Sequence, residues 1–303
     1  MRAVLVFGLA LVASASAFVS ISKPYHEEIG IPQARRIKAY EESLNANKQA
    51  KTVSEFQADR IIGGVVASAN AHPYLGGLII NLINIRSESV CGSSLISTNR
   101  LVTAAHCWFD GTHRAWQFVV VLGSQFLFLD GFRMPTSNVA MHPQYSPRTL
   151  FNDIAMIYLP NHVPLSHAIQ PISLPDAWEL SNDFVGSIAV AAGYGRTSDQ
   201  QSGVGLDTVV RHVNLQVISM AECQRIYQSS IIASTLCTSG QGGVGVCSGD
   251  SGGPLVVNRW GRLTLIGVTS FAARVNGVQA CQRGFPSGFA RVTSFYNFIT
   301  QHM

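Results

Sequence analysis

Ser251 lies in a glycine-rich stretch, Gly249-Asp250-Ser251-Gly252-Gly253-Pro254, whose residue types suit nucleophilic chemistry. A serine hydroxyl is a poor nucleophile, so it needs a base, a group that orients the base, and donors for a developing oxyanion. Glycines let the backbone come close to a carbonyl group and tolerate positive φ. We expect the N–H groups of Gly249 and Ser251 to be the oxyanion donors, and Asp250 to accept a buried ionic partner. Taken alone, the same stretch also fits an ordinary glycine-rich turn.

Two segments far upstream contain side chains that could activate this serine. The segment 101–107 places His106 at the end of an apolar run, and the segment 152–157 places Asp153 at the start of another. An imidazole can serve as general base and then as general acid, while a carboxylate fixes its tautomer and stabilises the imidazolium. The apolar neighbours indicate that the fold holds both side chains rigidly. The sequence therefore predicts a hydrogen-bonded row of His106, Asp153 and Ser251.

In the chain order His, Asp, Ser, these motifs resemble those of the chymotrypsin family of serine proteases, and the resemblance runs from Ile61 to the C-terminus. It implies an all-β fold of two six-stranded antiparallel β-barrels with a C-terminal α-helix. It also implies a secreted serine endopeptidase in which Ser251 forms an acyl-enzyme. Short strand-like runs separated by turn residues are consistent with this architecture. An apolar stripe with helical spacing near the C-terminus comprises Val292, Phe295, Tyr296 and Ile299.

The chain divides into three regions. Met1–Ala17 has a basic residue, an apolar core and an Ala-x-Ala cleavage site, so we interpret it as a secretory signal peptide rather than a buried helix. The apolar core is too short to span a bilayer. Residues 18–60 contain all the lysines of the chain, and we interpret them as a removable activation propeptide of little independent stability, with a short helix at 37–44. Residues 61–303 are the predicted protease domain with two β-barrel lobes.

Arg60 and Ile61 mark the boundary between propeptide and protease domain. The run from Arg60 to Gly64 resembles the family's activation site, which a trypsin-like protease cuts after the arginine. The cut would free a charged amine on Ile61, which would enter a pocket and pair with Asp250. This pairing would order the oxyanion hole and the substrate pocket, so we expect the uncut chain to be nearly inactive. Arg35-Arg36 is a second candidate nick site, but no matching N-terminus follows it.

Six cysteines, an even number in a chain with a secretory signal, predict disulfide bonds. Spacing alone leaves their pairing open. The first pair that the family resemblance implies would fix the segment carrying His106, and the third would tie the Ser251 loop to the pocket wall. Zinc binding is the alternative use of these cysteines, but their spacings argue against it. The implied pairs are Cys91–Cys107, Cys223–Cys237 and Cys247–Cys281.

Substrate preference should depend on the residues that the resemblance places around a pocket, namely Gly245, Ser248, Ser270, Phe271, Ala272 and Ser287. Relatives that cut after lysine or arginine have an aspartate at the position of Gly245. Burying a basic side chain without a counter-ion is costly, so trypsin-like cleavage is disfavoured here. A neutral pocket favours Phe, Tyr, Leu or Met before the cut. With Gly245 and the Ser270-Phe271 wall, the chain resembles arthropod digestive chymotrypsins, such as those of the insect midgut, and crab collagenolytic proteases.

Ala272 is a departure from chymotrypsin, which has glycine at this position. Its methyl group narrows the pocket wall and leaves an elastase-like preference for smaller residues open, since such a group is worth only about 1–3 kcal/mol. Ser270 is expected to form a hydrogen bond near Asp153, although an ordinary buried hydroxyl is the alternative. The backbone of residues 270–272 is expected to pair with an extended substrate.

The charge pattern points to an environment rather than to a nucleic-acid partner. The net charge of +4 includes the lysines of the propeptide, and no basic stripe is visible in residues 61–303. That region contains no lysine, although lysine is common in soluble domains. Arginine keeps its charge above about pH 12, whereas lysine loses it near about pH 10.4. We hypothesise an alkaline environment such as the gut lumen, with compositional drift as the alternative.

Nothing in the sequence indicates a cofactor, a metal site or a membrane anchor. In the loop 123–134 only Asp130 is acidic, so a calcium site of the kind that some relatives carry lacks ligands. The expected partners are protein and peptide substrates, a trypsin-like activating protease and protein protease inhibitors, and the enzyme is expected to be a monomer. Two alternatives stay open: a non-catalytic protease homologue that acts as a binding protein, and a regulatory protease of an immune cascade.

Overall fold

The computed structural model of the chain describes residues 19–20, 24–46, 64–196, 198–199 and 209–303. The predicted signal peptide and the bond between Arg60 and Ile61 therefore lie outside the described residues. Among the helices within these ranges, none is long and apolar enough to cross a membrane.

The described elements are mainly short strands, as turn-separated apolar runs predict. The strands are, in chain order, β1 (Val19–Ser20), β2 (Val65–Val66), β3 (Leu75–Leu82), β4 (Glu88–Ser97), β5 (Arg100–Thr103), β6 (Ala115–Leu122), β7 (Phe132–Thr136), β8 (Val139–Met141), β9 (Ala155–Tyr158), β10 (Ile188–Gly193), β11 (Arg211–Ile218), β12 (Thr235–Thr238), β13 (Pro254–Arg259), β14 (Arg262–Phe271), β15 (Arg274–Val275), β16 (Val278–Gln279) and β17 (Ser287–Arg291). The α-helices are α1 (Ile31–Ala46), α2 (Met220–Tyr227) and α3 (Tyr296–Gln301). A π-helical turn, His26–Gly30, precedes α1, and two of the 3-10 turns are Ala105–Cys107 and Val292–Phe295.

The first lobe is a seven-stranded antiparallel sheet with the order β7-β6-β3-β4-β5-β9-β8. Its inner side chains are apolar and fully shielded from solvent, among them Leu78, Ile80, Leu95, Leu101 and Phe118. Burying one such side chain stabilises the fold by about 1.5–3 kcal/mol relative to leaving it exposed. The edge strands β7 and β8 do not pair with each other in the described chain, so this lobe is an open half-barrel.

The second lobe closes into a barrel. Its sheet has the order β10-β13-β14-β17-β12-β11-β2, and β10 also pairs with β11, from Ile188 opposite Gln216 to Gly193 opposite Arg211. Six strands therefore form a ring, and β2 attaches outside it to β11. The interior of the ring is filled by apolar side chains that include Leu215, Leu236, Ile266 and Phe289.

The all-β fold with two lobes is confirmed, but the two lobes differ in closure. The prediction of six strands closed into a barrel holds for the second lobe, whereas the first has seven strands and free edges among the described residues. Strand β8 spans only three residues, and all three pair with β9. Its free edge is therefore too short to pair with much of another strand. The predicted C-terminal helix is present as the turn Val292–Phe295 followed by α3, with Val292, Phe295 and Ile299 buried.

Three disulfide bonds tie together elements of the candidate site. The first joins β4 to the turn that contains His106, the second joins α2 to β12, and the third joins the segment before Ser251 to the chain after β16. This is the pairing that the family resemblance implies. Within the described ranges no cysteine is free, which leaves no thiolate for zinc. The bonds are Cys91–Cys107, Cys223–Cys237 and Cys247–Cys281.

The segment before the protease domain is more structured than its composition predicts. Instead of a short helix at 37–44, the turn His26–Gly30 and α1 form one continuous helical segment, and β1 pairs with β15. Helix α1 packs on β4 and buries Ile31, Ala34 and Ile37. Isolated helices of this length are marginal in water, so these tertiary contacts are what stabilise it. The segment thus lies between the first lobe and the strands beside the pocket.

Candidate active site

His106 is held at the end of a buried strand. Strand β5 pairs with β4 and β9, and the chain continues through the extended Ala104 into the turn Ala105–Cys107. The imidazole is 3 % exposed; its Nδ1 atom lies 2.7 Å from Asp153 Oδ2, and the His106 backbone N–H donates to Asp153 Oδ1 at 2.9 Å. Because a carboxylate accepts hydrogen bonds, Nδ1 is the ring nitrogen that donates to Asp153.

Asp153 lies just before β9 and accepts hydrogen bonds from both lobes. Asn152, the residue before it, adopts a positive φ of 56°, which turns the chain sharply at this point. Besides the two bonds from His106, Ser270 Oγ at the end of β14 donates to Asp153 Oδ2 at 2.5 Å. Asp153 is 2 % exposed, and burying a carboxylate is costly unless donors satisfy it. Ser270 is therefore one of the donors that make this burial tolerable, rather than an isolated buried hydroxyl.

Ser251 occupies a tight loop before β13 that backbone bonds hold in place. Gly249 and Gly252 adopt φ values of 102° and 78°, which residues with a Cβ disfavour. The carbonyl oxygen of Ser251 accepts from the N–H of Gly92 in β4 at 2.7 Å. A Cβ on Gly92 would lie 2.8 Å from the Cα of Gly253, so this approach requires glycine. A strand of the first lobe and the loop of the second therefore position each other.

Of the two hydrogen bonds in the predicted row, the described residues form the one between His106 and Asp153 but not the one between His106 and Ser251. His106 bonds to Asp153, but its Nε2 atom has no hydrogen-bond partner among the described residues. Ser251 lines the same pocket as His106 and Tyr25, and the Tyr25 hydroxyl donates to Val90 O at 2.8 Å. The Tyr25 and His106 ring centroids are 4.6 Å apart. Burial raises the pKa of Tyr25 far above its usual range, so the phenol is neutral.

Asp250, the residue predicted to receive the new amine, is buried at 6 % exposure. Its Oδ1 atom accepts from Gly195 N at 2.8 Å and its Oδ2 atom accepts from Cys247 N at 2.9 Å. Burial raises the pKa of Asp250 to about 6, and these two bonds offset only part of that rise. A Cβ on Gly195 would lie 2.3 Å from the carboxylate, so the site requires glycine there. Ile61 lies outside the described residues, and in the uncut chain it has no free amine.

Gly245 and Ser287, which the family resemblance places at the substrate pocket, carry no charge and lie against each other. A Cβ on Gly245 would lie 2.9 Å from Ser287 Oγ, and this oxygen also accepts from Val246 N at 3.3 Å. Gly245 and Ser287 are not among the residues that line the cavity in this state; Ser287 bonds to Val246, which does line it. The other four predicted pocket residues do line it: Ser248, Ser270, Phe271 and Ala272.

The pocket wall is held by its own packing. The Phe271 ring meets Tyr227 edge-on with the centroids 5.4 Å apart. Gly288 of β17 lies opposite Phe271, and a Cβ there would come within 2.1 Å of the ring. Ala272 is half-buried against the disulfide bond of Cys247. The wall therefore has little freedom to widen.

Two further residues of the pocket lining, Tyr25 and Ile29, precede the protease domain. Sequence reasoning missed them because the segment 18–60 was interpreted as removable and of little stability. Their spacing of four residues, which places both on one side of a helix, was the only available signal. Val246 and Thr269 also line the cavity. Val246 follows the predicted Gly245 in the chain, and Thr269 precedes the predicted Ser270.

Two clusters of potential metal ligands occur in the described part of the chain. Each contains both halves of a disulfide bond, so its sulfur atoms carry no thiolate. What remains in each cluster is a single side chain, His106 or Asp199, and metal sites in proteins use several ligands. Neither cluster therefore provides a metal site.

Comparison with known proteins agrees with this geometry. The family model described as Trypsin matches residues 61–299. The chain is 36 % identical over 262 residues to the collagenase of Hypoderma lineatum, covering 86 % of this chain and 94 % of that protein. It is 37 % identical over 244 residues to brachyurin of Leptuca pugilator, covering 79 % and 96 %. The solved structure of HL collagenase aligns with a TM-score of 0.70 at 35 % identity, over 80 % of this chain and 98 % of that chain.

These matches define the class of the protein, a serine endopeptidase built on two β-lobes. The chain belongs to the trypsin family of serine proteases. The resemblance that the motifs around His106, Asp153 and Ser251 indicate is confirmed, and so is the likeness to arthropod enzymes, since these relatives come from an insect and a crab.

Ser270→Ala tests the bond that joins the second lobe to Asp153. In the cut enzyme we expect kcat on a peptide substrate to fall about 10- to 100-fold with little change in KM, because a hydrogen bond to a charged group contributes about 1.5–3 kcal/mol. Steady-state kinetics measures this. The control is Ser94→Ala, since Ser94 is equally buried in β4 but its hydroxyl has no hydrogen-bond partner in the described chain. Equal kcat values for the two variants would contradict the role of Ser270.

Proposed function

We propose that this chain is the secreted zymogen of a chymotrypsin-like digestive endopeptidase, activated by a trypsin-like cut after Arg60. The observation that carries the proposal is the buried bond between His106 and Asp153, which faces Ser251 across one pocket. The signal sequence at 1–17 and the three disulfide bonds support export to an oxidising compartment. The gut lumen is the proposed site of action.

In the proposed mechanism, Ser251 Oγ attacks the carbonyl carbon of the scissile peptide while His106 Nε2 takes the hydroxyl proton. The oxyanion of the tetrahedral intermediate accepts hydrogen bonds from the N–H groups of Gly249 and Ser251. His106 then gives the proton to the leaving amine, and an acyl-enzyme remains. Water, deprotonated by the same imidazole, hydrolyses the ester and restores Ser251. Asp153 keeps Nδ1 protonated and stabilises the imidazolium.

Asp250 supports the proposal that the uncut chain is inactive. Burial raises its pKa from 3.8 to about 6. Below pH 3.8 the carboxyl is protonated in both the folded and the unfolded chain, and its burial carries no charge penalty. The folded chain loses stability as the pH rises from there through about 6, because the buried carboxyl must then ionise. A protonated amine on Ile61 would offset that penalty by pairing with the carboxylate. The loop that contains Gly249 and Ser251 would then gain a fixed position, and the oxyanion donors would be in place.

Cleavage at Arg60 should switch the enzyme on. After limited digestion with trypsin and removal of residues 1–60, we expect an organophosphonate probe to label Ser251, as measured by intact mass, and peptide hydrolysis to appear. Arg60→Gln should stay unlabelled after the same digestion, and Ser251→Ala should be cut normally but lack both label and activity. A cut wild-type chain that remains unlabelled would instead identify a non-catalytic homologue that acts by binding.

We infer a preference for a large apolar residue before the cut. A lysine or arginine side chain that passed Val246 would meet Gly245 and the Ser287 hydroxyl rather than a carboxylate. Its charge would lose hydration without gaining a counter-ion, which is costly. Phe, Tyr, Leu and Met carry no charge to desolvate. Ala272 adds a methyl group to the wall, so an elastase-like preference for smaller residues is the alternative.

Profiling the cut enzyme on a peptide library tests this preference. We expect kcat/KM for Phe, Tyr, Leu or Met before the cut to exceed that for Lys or Arg by about 100-fold, since an unpaired buried charge costs roughly 3 kcal/mol or more. Gly245→Asp should raise cleavage after arginine, and Ala272→Gly should raise Phe and Tyr over Leu by about tenfold. Dominant wild-type cleavage after Lys or Arg would show that the role assigned to Gly245 is wrong, and dominant cleavage after Ala or Val would support the elastase-like alternative.

The absence of lysine from residues 61–303 leads us to propose an alkaline working pH. The Ile61–Asp250 pair requires a protonated amine, whose ordinary pKa is about 8. If pairing raises the pKa of the amine, the pair stabilises the active form fully at pH values below the ordinary pKa. That stabilisation is lost as the pH rises through the raised pKa.

We therefore expect kcat/KM of the cut enzyme to hold to above about pH 9 and to fall reversibly beyond it. Circular dichroism at each pH separates loss of the pair from unfolding. A reversible loss of activity already complete at about pH 9, with the fold intact, would count against an alkaline environment.

We also propose the partners and the oligomeric state of the enzyme. The substrates are proteins and peptides, protein protease inhibitors and a trypsin-like activator are the partners, and the enzyme acts as a monomer without nucleic acid or membrane. A regulatory protease of an immune cascade is the alternative role. The tissue in which the chain is expressed decides between the two.

A further inference from the structure

Residues 24–46 lie across the cleft that holds Ser251. Strand β1 pairs with β15 beside the pocket, Tyr25 packs against His106, and α1 packs on β4. Tyr25 and Ile29 line the same cavity as Ser251. A substrate side chain that entered the pocket would therefore have to displace both of them.

The contacts at the centre of the cleft involve the groups proposed to react. The Tyr25 side chain lines the same pocket as Ser251, and its ring centroid lies 4.6 Å from that of His106, whose Nε2 atom has no partner among the described residues. The backbone of the turn His26–Gly30 is helical, with the N–H of Ile31 donating to His26 O. Ser251 therefore meets a phenol side chain and not an extended peptide bond. The segment blocks the cleft without presenting itself as a substrate.

Polar anchors hold the helical turn on both sides of the cleft. The backbone N–H of His26 donates to Asp110 Oδ2 at 2.8 Å, and His26 Nδ1 lies 2.9 Å from Ser89 Oγ. On the pocket side, Arg274 Nη2 donates to Glu28 Oε2 at 2.8 Å. These partners belong to the first lobe and to β15, so the turn bridges the two walls.

Helix α1 continues the contact past the loop of the proposed oxyanion donors. The side chain of Gln33 packs on Gly249, with its Cγ atom 2.9 Å from where a Cβ of Gly249 would lie. Its Nε2 atom donates to Tyr194 O at 2.9 Å. Gln33 is buried, and its amide donor finds a backbone acceptor in the protease domain. A polar side chain in such a position indicates a surface built for this segment.

Glu41, near the C-terminal end of α1, is a second buried polar residue of this segment that finds hydrogen-bond partners in the protease domain. Its side chain is fully buried, and its two carboxylate oxygens accept from the N–H groups of Leu127 at 2.7 Å and of Phe128 at 2.6 Å. Ile37, one turn earlier, is fully buried in an apolar cluster that includes Leu127. A buried carboxylate is costly unless its acceptors are satisfied, and here the protease domain supplies both donors.

We propose that residues 24–46 are a built-in inhibitor of the protease cleft, and that the segment stays bound after the cut at Arg60 until it is removed. The inference rests on the proposed function for the position of that cut. The cut leaves all of these contacts intact, because they lie before residue 47. It turns the segment into a separate ligand whose occupancy depends on concentration. Activation thus requires two events, the cut and the loss of the segment.

The first test uses the wild-type chain cut at Arg60, freed of residues 1–60 by chromatography and shown to take the organophosphonate label. A synthetic peptide of residues 24–46 should raise KM for a peptide substrate and leave kcat unchanged. Tyr25→Ala in the peptide should weaken inhibition at least about tenfold. Glu42→Ala should not, because Glu42 is exposed on α1.

The outcomes separate this inference from the proposed function. A freed domain that takes no label would defeat the proposed function. A labelled domain that the wild-type peptide fails to inhibit, or that the Tyr25→Ala peptide inhibits equally well, would overturn the inference alone. Cleavage of the peptide after Tyr25 at the rate of an ordinary substrate, measured by mass spectrometry, would also overturn it.

A second measurement uses the full chain, so that it does not depend on the isolated peptide forming a helix. The wild-type chain that is cut but not separated should be less active than the separated domain, and its specific activity should rise on dilution. Tyr25→Ala combined with Glu41→Gln should raise the activity of the unseparated protein at least about tenfold. Glu42→Ala should match the wild type. Full activity of the unseparated wild-type protein would contradict retention of the segment.

Discussion

One buried carboxylate, that of Asp153, is hydrogen-bonded to both lobes. Asp153 belongs to the first lobe, and it accepts hydrogen bonds from His106 of that lobe and from Ser270 of the second. Because an unsatisfied buried carboxylate is so costly, a rotation of one lobe against the other would lose a donor that nothing nearby replaces. The bond from Gly92 N to Ser251 O adds a backbone link across the same boundary. The cleft is therefore a product of the lobe interface, not of either sheet alone.

Two features of the described residues bear on the proposed activation, and they lie in different parts of the site. The Nε2 atom of His106 has no hydrogen-bond partner among the described residues, and the Tyr25 ring centroid lies 4.6 Å from that of the imidazole. Asp250, next to Ser251 in the chain, is buried, and burial raises its pKa to about 6. In the proposed activation, removal of Tyr25 would uncover His106, and an amine on Ile61 would pair with Asp250. Because Asp250 and Ser251 are adjacent in one loop, we propose that both changes are needed to complete the site.

Local motifs were sufficient to predict the residues around His106, Asp153 and Ser251, because each lies at the edge of an apolar run or in a glycine turn. The open edge of the first lobe was not predictable, since it depends on pairing between strands far apart in the chain. The full length of α1 was not predictable either. Its buried face mixes apolar residues with Gln33 and Glu41, which a sequence pattern assigns to solvent. Only their backbone partners in distant loops of the protease domain make that face a binding surface.

A crystal structure of the cut enzyme, freed of residues 1–60, is the most direct test of how these side chains work together. We expect Ser251 Oγ within about 2.6–3.2 Å of His106 Nε2. We also expect the bonds to Asp153 to be unchanged and the amine of Ile61 to lie against Asp250. A structure in which the imidazole keeps its bonds to Asp153 but stays beyond hydrogen-bond reach of Ser251, with Tyr25 gone, would contradict the assignment of these three residues to one catalytic row.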